Sequence, residues 1–329
     1  MIAEYFRYAE LEVRAHRFAA SLPGPELIVL GAVHGNEICG SLAIRQILSA
    51  FEEGELSIQR GGVTFVPVTN PLAWKKRQRE GERNLNRRLL PTAKPADFED
   101  HLANWLCPLL ARHEVLLDLH SFHTPGEPFV MLGPDNNSGP VEAFAHAEEE
   151  RALARHLGIP LFVDGWLDTY ARGVKRRRSL LADSGHADTL VADPSYGIGT
   201  TEYMRTQSGY GLTVECGQHD DPQAVGVARQ CILNTLAFLG LIEEAPPAPL
   251  QRVRHMRIVD VVDKTHDHDA FEREWNSFDR IAAGELIGTR AEGTAVRAWE
   301  DGYLLFPNPA AGALQEWFYL AREITPAGR

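Results

Sequence analysis

Cysteine is scarce in this chain, and its few copies are not arranged as a site. Four cysteines occur among 329 residues, at irregular spacings and without a CxxC pair, which argues against both a disulfide framework and a thiolate metal site. Basic residues are outnumbered by acids, and the formal net charge is −12. Because duplex nucleic acid and anionic membranes are bound through basic patches, neither is an expected partner.

Long hydrophobic runs are also missing. No apolar stretch is long enough to cross a bilayer, and the opening sequence MIAEYFRYAE has acids where a secretory signal peptide needs a basic and then an apolar run. We therefore expect a cytoplasmic protein. Its 44% hydrophobic and 24% charged residues are typical of a globular chain that buries a sizeable core.

Apolar runs of strand length alternate with helical patterns through most of the chain, and this alternation predicts an α/β fold. The strands are predicted over 26–33, 63–68, 114–120, 129–133 and 210–216. The helices are predicted over 38–51, 96–113, 141–158 and 222–240. Since the strands are apolar along nearly their whole length, we expect a mixed, mostly parallel central sheet flanked by helices.

The composition of the sequence changes at 242–253. The segment IEEAPPAPLQRV contains a proline cluster that breaks helices and indicates a linker. Beyond it, short apolar runs such as RIVDVV and GYLLF lack helical periodicity and are typical of strands. We predict a first domain over residues 1–245 and a small β-rich domain over 246–329.

The first candidate for chemistry is HGNE at 34–37. His34 follows the predicted strand 26–33, and Glu37 lies in the first turn of the next predicted helix. The carboxyl edge of an open α/β sheet is where ligands bind, and neutral imidazole with carboxylate is a donor set that suits Zn²⁺. Taken alone, the pair has a plainer explanation, either chance or an acid placed at a helix N-terminus.

A third ligand strengthens the metal hypothesis. The predicted strand 114–120 ends in His120, and two histidines with one glutamate form a known catalytic zinc set that leaves a position open. Asp118 either orients a ligand imidazole from behind or is tied to backbone amides. His123, in the loop past this strand, is a competing ligand that we rank below His120.

A zinc hydrolase also needs a base that takes a proton from water and passes it to the leaving group. Glu215 ends the apolar run YGLTVE, where burial would raise the pKa of its carboxyl group toward the working range. The alternative is a carboxylate paired with an arginine at the strand end.

An arginine-rich stretch, NPLAWKKRQREGERNLNRRL at 70–89, follows a predicted buried strand. Because arginine binds carboxylates with a planar fork, Arg79, Asn86 and Arg87 are candidates for holding an anionic substrate over the metal. The alternative is a solvated basic loop.

Two further polar runs favour structural explanations. VKRRRS at 174–179, with its basic core 175–178, is expected to be a solvated loop that balances a nearby acidic helix, with a phosphate site as the less favoured reading. THDHD at 265–269 is expected to be a solvated polar loop, with a second metal site as the less favoured reading.

Four separated motifs resemble the succinylglutamate desuccinylase and aspartoacylase family, which has the zinc-carboxypeptidase fold followed by a small β domain. They are HGNE at 34–37, NPLAWKKRQREGERNLNRR at 70–88, LDLH at 117–120 and TVECG at 213–217, in the family's order. The resemblance spans most of the chain. It implies that His34, Glu37 and His120 bind one Zn²⁺ per chain and that Glu215 is the general base.

The same resemblance implies roles for the arginines. Arg79 would polarise the scissile amide carbonyl, while Asn86 and Arg87 would bind a substrate carboxylate. Arg205 falls where aspartoacylase has an arginine for a second carboxylate, and Tyr203 is close enough to replace a tyrosine that precedes this arginine in aspartoacylase.

The acyl group of the substrate stays open. LLFPNPAAGALQEWF at 304–318 is similar to bacterial succinylglutamate desuccinylases, and Gly312 stands where aspartoacylase has a substrate-contacting tyrosine. TVECG followed by Gln218, in contrast, is more similar to aspartoacylase.

We expect a zinc-dependent amidohydrolase of amino-acid metabolism that cleaves the linear amide of a small anionic N-acyl amino acid, such as N-succinylglutamate. Whether the chain forms a homo-oligomer is left open. The alternative function is a zinc carboxypeptidase that acts on peptide C-termini, which would need an open cleft. A zinc-binding protein without activity is disfavoured because every residue of the expected metal, base and carbonyl sites is present.

Overall fold

The computed structural model describes residues 2–140, 142–182 and 193–325. The strands are β1 (Ile2–Tyr8), β2 (Leu11–Ala19), β3 (Glu26–Gly31), β4 (Gly62–Val66), β5 (Val115–Phe122), β6 (Phe129–Met131), β7 (Leu161–Asp164), β8 (Tyr210–Gln218), β9 (Arg254–Asp263), β10 (Ala270–Phe271), β11 (Arg280–Ile281), β12 (Leu286–Thr289), β13 (Ala295–Arg297), β14 (Gly302–Leu305) and β15 (Glu316–Glu323). The helices are α1 (Cys39–Glu52), α2 (Pro71–Lys76), α3 (Phe98–Leu110), α4 (Ala147–His156), α5 (Trp166–Ala182), α6 (Thr200–Thr206) and α7 (Ala224–Phe238). None of these helices is long and apolar enough to span a membrane.

The chain divides into two compact units that interleave along the sequence. The first unit comprises Met1–Ser121, Pro128–Pro160 and Ile198–Val253, and the second comprises Phe122–Glu127, Leu161–Gly197 and Arg254–Arg329. Residues 242–253 contain neither helix nor strand, as expected of a linker. The predicted domains over 1–245 and 246–329 stay a prediction, because the two units interleave along the sequence and do not share these boundaries.

The first unit contains a mixed sheet with the strand order β1, β2, β4, β3, β5, β8, β6. β3 pairs in parallel with both β4 and β5, whereas β2 pairs antiparallel with β4 and β6 pairs antiparallel with β8. Because β3 and β5 are adjacent and parallel, their carboxyl ends meet at one edge of the sheet. The predicted α/β class is confirmed.

A cluster of buried apolar side chains packs α3 against one face of this sheet. It includes Leu102 and Leu106 from α3, Ile28 and Leu30 from β3, and Leu116 from β5. The Asp97 carboxylate caps the start of α3 by accepting a hydrogen bond from the backbone N–H of Asp100 at 2.7 Å, which satisfies one of the free amides of its first turn. This core fixes the two strands whose ends carry the candidate site.

All the predicted strands and helices of the first unit are present, with shifted ends, although α4 is shorter than the predicted span 141–158. Position 141 of that span lies outside the described residues. The hairpin β1–β2, the short helices α2 and α6 and the elements β7 and α5 were not predicted.

In the second unit, β7 pairs in parallel with β9, and the strands continue antiparallel in the order β9, β15, β14, β11. The short strands β10, β12 and β13 form a separate sheet. Within the described part of 254–325, the chain forms strands and no helix.

The basic run 174–179 corrects one prediction, because it lies inside α5 and not in a loop. The side chain of Arg177 is only 1% exposed and forms ion pairs with Asp263 at 2.8 Å and Glu316 at 3.0 Å. Because both partners are carboxylates, Arg177 is committed to a structural ion-pair network and is not available to a phosphate.

The 265–269 run is a polar turn, as expected. The buried Asp269 carboxylate accepts hydrogen bonds from the Thr265 backbone N–H and from Arg290, each at 2.7 Å, while His266 and His268 are exposed.

Candidate metal centre and active site

His34 and Glu37 lie in the turn between β3 and α1, at the carboxyl edge of the sheet. A hydrogen bond from the Glu37 backbone N–H to the His34 carbonyl closes this turn at 3.2 Å. The glycine of the HGNE motif is required by close approach, because a Cβ atom on Gly35 would lie 2.0 Å from the Ala73 carbonyl. The sequence therefore packs the HGNE turn directly against α2.

His34, Glu37 and His120 converge as predicted. The two oxygens of the Glu37 carboxylate lie 2.8 Å from His34 Nδ1 and 2.8 Å from His120 Nδ1. All three residues are buried, and one ligand atom from each lies within 4.8 Å of the others. This arrangement forms because His120 ends β5, which is the strand next to β3.

The charges of this cluster are set by burial and by its neighbours. Burial and the Arg79 charge lower the pKa of His34 to about 4, so that this imidazole is neutral. Burial opposes the charge of His120, but the carboxylates of Asp118 and Glu37 outweigh it and raise the pKa of His120 well above its usual value. The two histidines in turn hold the pKa of Glu37 well below its usual range against the effect of burial.

In each histidine, Nε2, the ring nitrogen that does not face Glu37, has a polar neighbour. Metal-binding histidines commonly have such a neighbour, which orients the ring. His34 Nε2 lies 3.0 Å from Asn84 Oδ1, so a ring proton on Nε2 has an acceptor there when Nδ1 binds a metal ion. His120 Nε2 lies 2.9 Å from Asp118 Oδ2, close enough for an ion pair but outside hydrogen-bond geometry. Asp118 Oδ2 also accepts a hydrogen bond from the Thr200 hydroxyl.

His123 does not join the cluster. Its Nε2 lies 2.6 Å from the Pro307 carbonyl, and the group able to hold a metal contains His120 instead.

Glu215 lies in β8, opposite Phe129 of β6. Its side chain is buried, and its Oε2 has no hydrogen-bond partner. Burial, reinforced by the Glu37 carboxylate, raises the pKa of Glu215 to about 8. Within the described residues no arginine lies at ion-pair distance from this carboxylate, so the alternative of an arginine paired with Glu215 at the strand end is not realised.

Arg79 lies against the cluster. Its NH1 donates to Glu37 Oε1 at 2.9 Å and lies 3.2 Å from His34 Nδ1. The side chain is 47% exposed, so that the guanidinium can contact both the buried carboxylate and a molecule arriving from solvent.

Residues 75–80 of the arginine-rich stretch are exposed, whereas the part that follows is anchored by hydrogen bonds and ion pairs. The buried Glu99 carboxylate accepts hydrogen bonds from the backbone N–H groups of Glu82 and Arg83, at 3.2 and 3.0 Å. The Arg83 guanidinium binds Asp97 at 2.8 Å and Asp100 at 3.0 Å. These anchors hold the loop in the position where Asn84 contacts His34.

Asn86 and Arg87 follow in the same loop, and both are half-buried. Asn86 Oδ1 accepts a hydrogen bond from the Thr200 backbone N–H at 2.8 Å, and Arg87 donates to the Asn86 carbonyl at 2.8 Å. Thr200 therefore connects this loop to Asp118 behind His120.

Arg205 is not brought together with these residues. Its buried guanidinium donates to Glu150 at 2.9 Å, to Glu142 at 2.8 Å and to the Gly211 carbonyl at 2.9 Å. A guanidinium with these three acceptors is committed to the interior, so the structure argues against the expected contact with a second substrate carboxylate. Tyr203 is also buried, and it packs in the core beside α3.

We expect Arg205→Ala to lower the free energy of unfolding by about 3–5 kcal/mol, because it leaves Glu142 and Glu150 buried without their cation. Urea denaturation checks this, with Arg151→Ala, which removes an exposed ion pair with Asp135, as the matched control. An Arg205→Ala protein of wild-type stability and raised KM would instead restore the substrate role.

Sequence reasoning missed four polar residues of the site: Asn84, Ser121, Thr200 and His219. The backbone N–H of Ser121 donates to Glu37 Oε2 at 3.2 Å, and the Ser121 hydroxyl lies 2.9 Å from His219 Nδ1. Asn84 lies inside the motif at 70–88, and Ser121 and His219 lie close to motif residues, whereas no motif marks Thr200.

Comparison with known proteins supports the resemblance that the sequence motifs indicate. Residues 23–129 match the family model described as the succinylglutamate desuccinylase/aspartoacylase catalytic domain, a range that contains three of the four motifs. No curated protein sequence matches the chain.

Solved structures share the fold along nearly the whole chain. A succinylglutamate desuccinylase/aspartoacylase from Rhodobacter sphaeroides is 19% identical, with 98% of this chain and 96% of that chain covered and a TM-score of 0.71. The product-bound ectoine utilization protein EutE (DoeB) from Ruegeria pomeroyi is 16% identical, with 98% and 94% covered and a TM-score of 0.70. A succinylglutamate desuccinylase from Vibrio cholerae is 16% identical, with 99% and 92% covered and a TM-score of 0.69. The predicted resemblance to the succinylglutamate desuccinylase/aspartoacylase family is thus confirmed, with a match to the model of its catalytic domain over residues 23–129 and a shared fold along nearly the whole chain.

Proposed function

We propose that this protein is a zinc-dependent hydrolase that cleaves the amide bond of an N-acyl amino acid. One observation carries the proposal: a buried cluster of two imidazoles and one carboxylate is accompanied by a second buried carboxylate, Glu215, that has an unpartnered oxygen. The first group suits a metal ion, and the second suits a base.

The residues present fit zinc. His34, Glu37 and His120 offer two nitrogens and one oxygen, the ligand types that Zn²⁺ takes in catalytic sites with three protein ligands. Both Nδ1 atoms already lie at hydrogen-bond distance from the Glu37 carboxylate, so a single cation would satisfy all three groups. When bound, zinc supplies a Lewis acid that polarises a carbonyl and acidifies water.

Glu215 is the proposed base. Its carboxylate takes a proton from the attacking water, whose oxygen bonds to the acyl carbon. The same proton is then delivered to the nitrogen as the C–N bond breaks, which releases a carboxylic acid and a free amino acid. A pKa raised by burial favours both transfers, since the group can accept and return a proton near neutral pH.

The arginine-rich loop would bind the substrate. Arg79, which is half-exposed beside Glu37, would donate to the amide carbonyl oxygen as negative charge develops there. Asn86 and Arg87 would bind the carboxylate of the amino acid.

The substrates with more than one carboxylate that are expected from the sequence, such as N-succinylglutamate, depend on Arg205 for the second carboxylate. Since Glu142 and Glu150 occupy that guanidinium, the proposal extends to N-acyl amino acids that carry one carboxylate.

A substrate panel tests the proposal and identifies the acyl group. We expect release of free amine from at least one N-succinyl, N-acetyl or N-formyl amino acid, with loss of the activity on chelation and its return with Zn²⁺. Ninhydrin or a coupled assay measures the amine. Short peptides form the comparison arm, and hydrolysis of peptides alone would favour a carboxypeptidase and overturn the proposal.

A further inference from the structure

We propose that His219 is a positioning residue that clamps together the two chain segments carrying the metal ligands. This inference rests on the proposed metal site. The imidazole of His219 lies 2.9 Å from the Ser121 hydroxyl through Nδ1 and 3.3 Å from the Asn36 side-chain amide through Nε2. Asn36 directly precedes Glu37, and Ser121 directly follows His120. One side chain therefore bridges the neighbours of two ligands.

The bridge extends to the Glu37 carboxylate through the backbone. The Ser121 N–H donates to Glu37 Oε2 at 3.2 Å, and this is the oxygen that lies 2.8 Å from His120 Nδ1. Holding Ser121 therefore holds a donor that aims the carboxylate at His120.

The position of His219 also connects the ligands to the proposed base. His219 follows Glu215 by four residues. Between them, Gly217 adopts a φ of +126°, a backbone conformation that residues other than glycine rarely adopt. Strand β8 ends at Gln218, and His219 lies in the turn that follows it. The segments of Glu215, Glu37 and His120 are thus fixed to one another through one imidazole.

The hydrogen bonds define the state of the ring. As the Asn36 amide is placed, its Nδ2 donates to His219 Nε2, so the proton of the neutral ring lies on Nδ1 and is donated to the Ser121 oxygen. Each nitrogen thus has a distinct partner, and two amide substitutions can separate them. The amide nitrogen of asparagine overlays Nδ1 and can retain the donation to Ser121, whereas the side chain of glutamine reaches the position of Nε2, where its amide oxygen can accept from Asn36 Nδ2.

The test compares Zn²⁺ affinity in competition with a chromogenic chelator for the wild type, His219→Ala, His219→Asn and His219→Gln. We expect His219→Ala to raise the Zn²⁺ Kd by about 10- to 100-fold, the usual effect of losing a residue that orients metal ligands. His219→Asn should regain most of the affinity, because it retains the contact to Ser121, and His219→Gln should regain less. His268→Ala, an exposed histidine of the second unit, should change nothing.

Thermal unfolding of the metal-free proteins separates positioning from general destabilisation. The inference requires that the Kd rises while the metal-free midpoint of His219→Ala stays near that of His268→Ala. A Kd equal to wild type in His219→Ala overturns the inference, as does a loss of affinity that neither amide variant reduces. Failure of the wild type itself to bind Zn²⁺ overturns instead the proposed function, so that the two outcomes are distinguishable.

Discussion

A Glu215→Gln variant is expected to bind Zn²⁺ as the wild type does and to lose about 10²- to 10⁴-fold in kcat, the usual contribution of a general acid–base group. Glutamine has nearly the same shape and can fill the same buried position in β8, but its amide cannot accept the proton of water. The loss should fall on kcat more than on KM, since Glu215 is not proposed to bind the substrate.

Steady-state kinetics on the substrate identified by the panel, with metal content measured on the same sample, checks this expectation. Glu53→Gln, which alters an exposed carboxylate just after α1, is the matched control and should behave as wild type. Near-normal turnover in Glu215→Gln would remove Glu215 from its role as the base and leave the metal site intact.

The metal-free proteins give an independent reading of the same carboxyl group. Burial raises the pKa of Glu215 from its usual value of 4.5 to about 8, so between these values the folded state binds more protons than the unfolded state. The free energy of unfolding of the wild type should therefore fall with rising pH across this window, relative to Glu215→Gln, by at most about 1.4 kcal/mol per pH unit.

The three candidate metal ligands were predictable because each is marked by local sequence. His34 and His120 end apolar runs of strand length, and Glu37 begins a helical pattern, so that the pairing of adjacent parallel strands brings all three to one edge. Glu215 was predictable for the same reason, since a lone carboxylate within an apolar strand is visible without knowing its partners.

The orientation of the ligands was not predictable from local sequence. Asn84 contacts His34, 50 positions away in the sequence, because Glu99 and the Arg83 ion pairs hold the loop that carries Asn84. His219 meets Asn36 across 183 positions. No periodicity or motif in either segment encodes such a contact, which depends on the assembled sheet.

Arg205 shows a different error, in which a charged residue was expected to bind a ligand and instead has protein partners. It binds Glu150, 55 positions away, and Glu142, 63 positions away. Arg177, which was expected to lie in a solvated loop, binds Asp263 and Glu316, 86 and 139 positions away. Burying a guanidinium without such partners would cost too much free energy for the fold to be stable, but the sequence does not indicate which acidic residue is the partner.

Glu37→Gln is expected to weaken Zn²⁺ binding by more than about 100-fold, the upper end of the effect for residues that only orient ligands, and to reduce turnover to background. Glu37 is the one ligand at 2.8 Å from both histidines, and its negative charge offsets the repulsion between an incoming cation and Arg79. The amide keeps the shape but removes that charge. Chelator competition measures the affinity, and the substrate assay is repeated in excess Zn²⁺.

The control is the wild-type protein after chelation, which should recover its activity when Zn²⁺ is added back. If Glu37→Gln stays inactive in excess Zn²⁺ while the chelated wild type recovers, the metal must act through this carboxylate. If Glu37→Gln binds Zn²⁺ with wild-type affinity, the ion lies elsewhere in the protein. The cluster would then be a structural one, in which the Glu37 carboxylate is hydrogen-bonded to two buried histidines and Arg79 is its counter-ion.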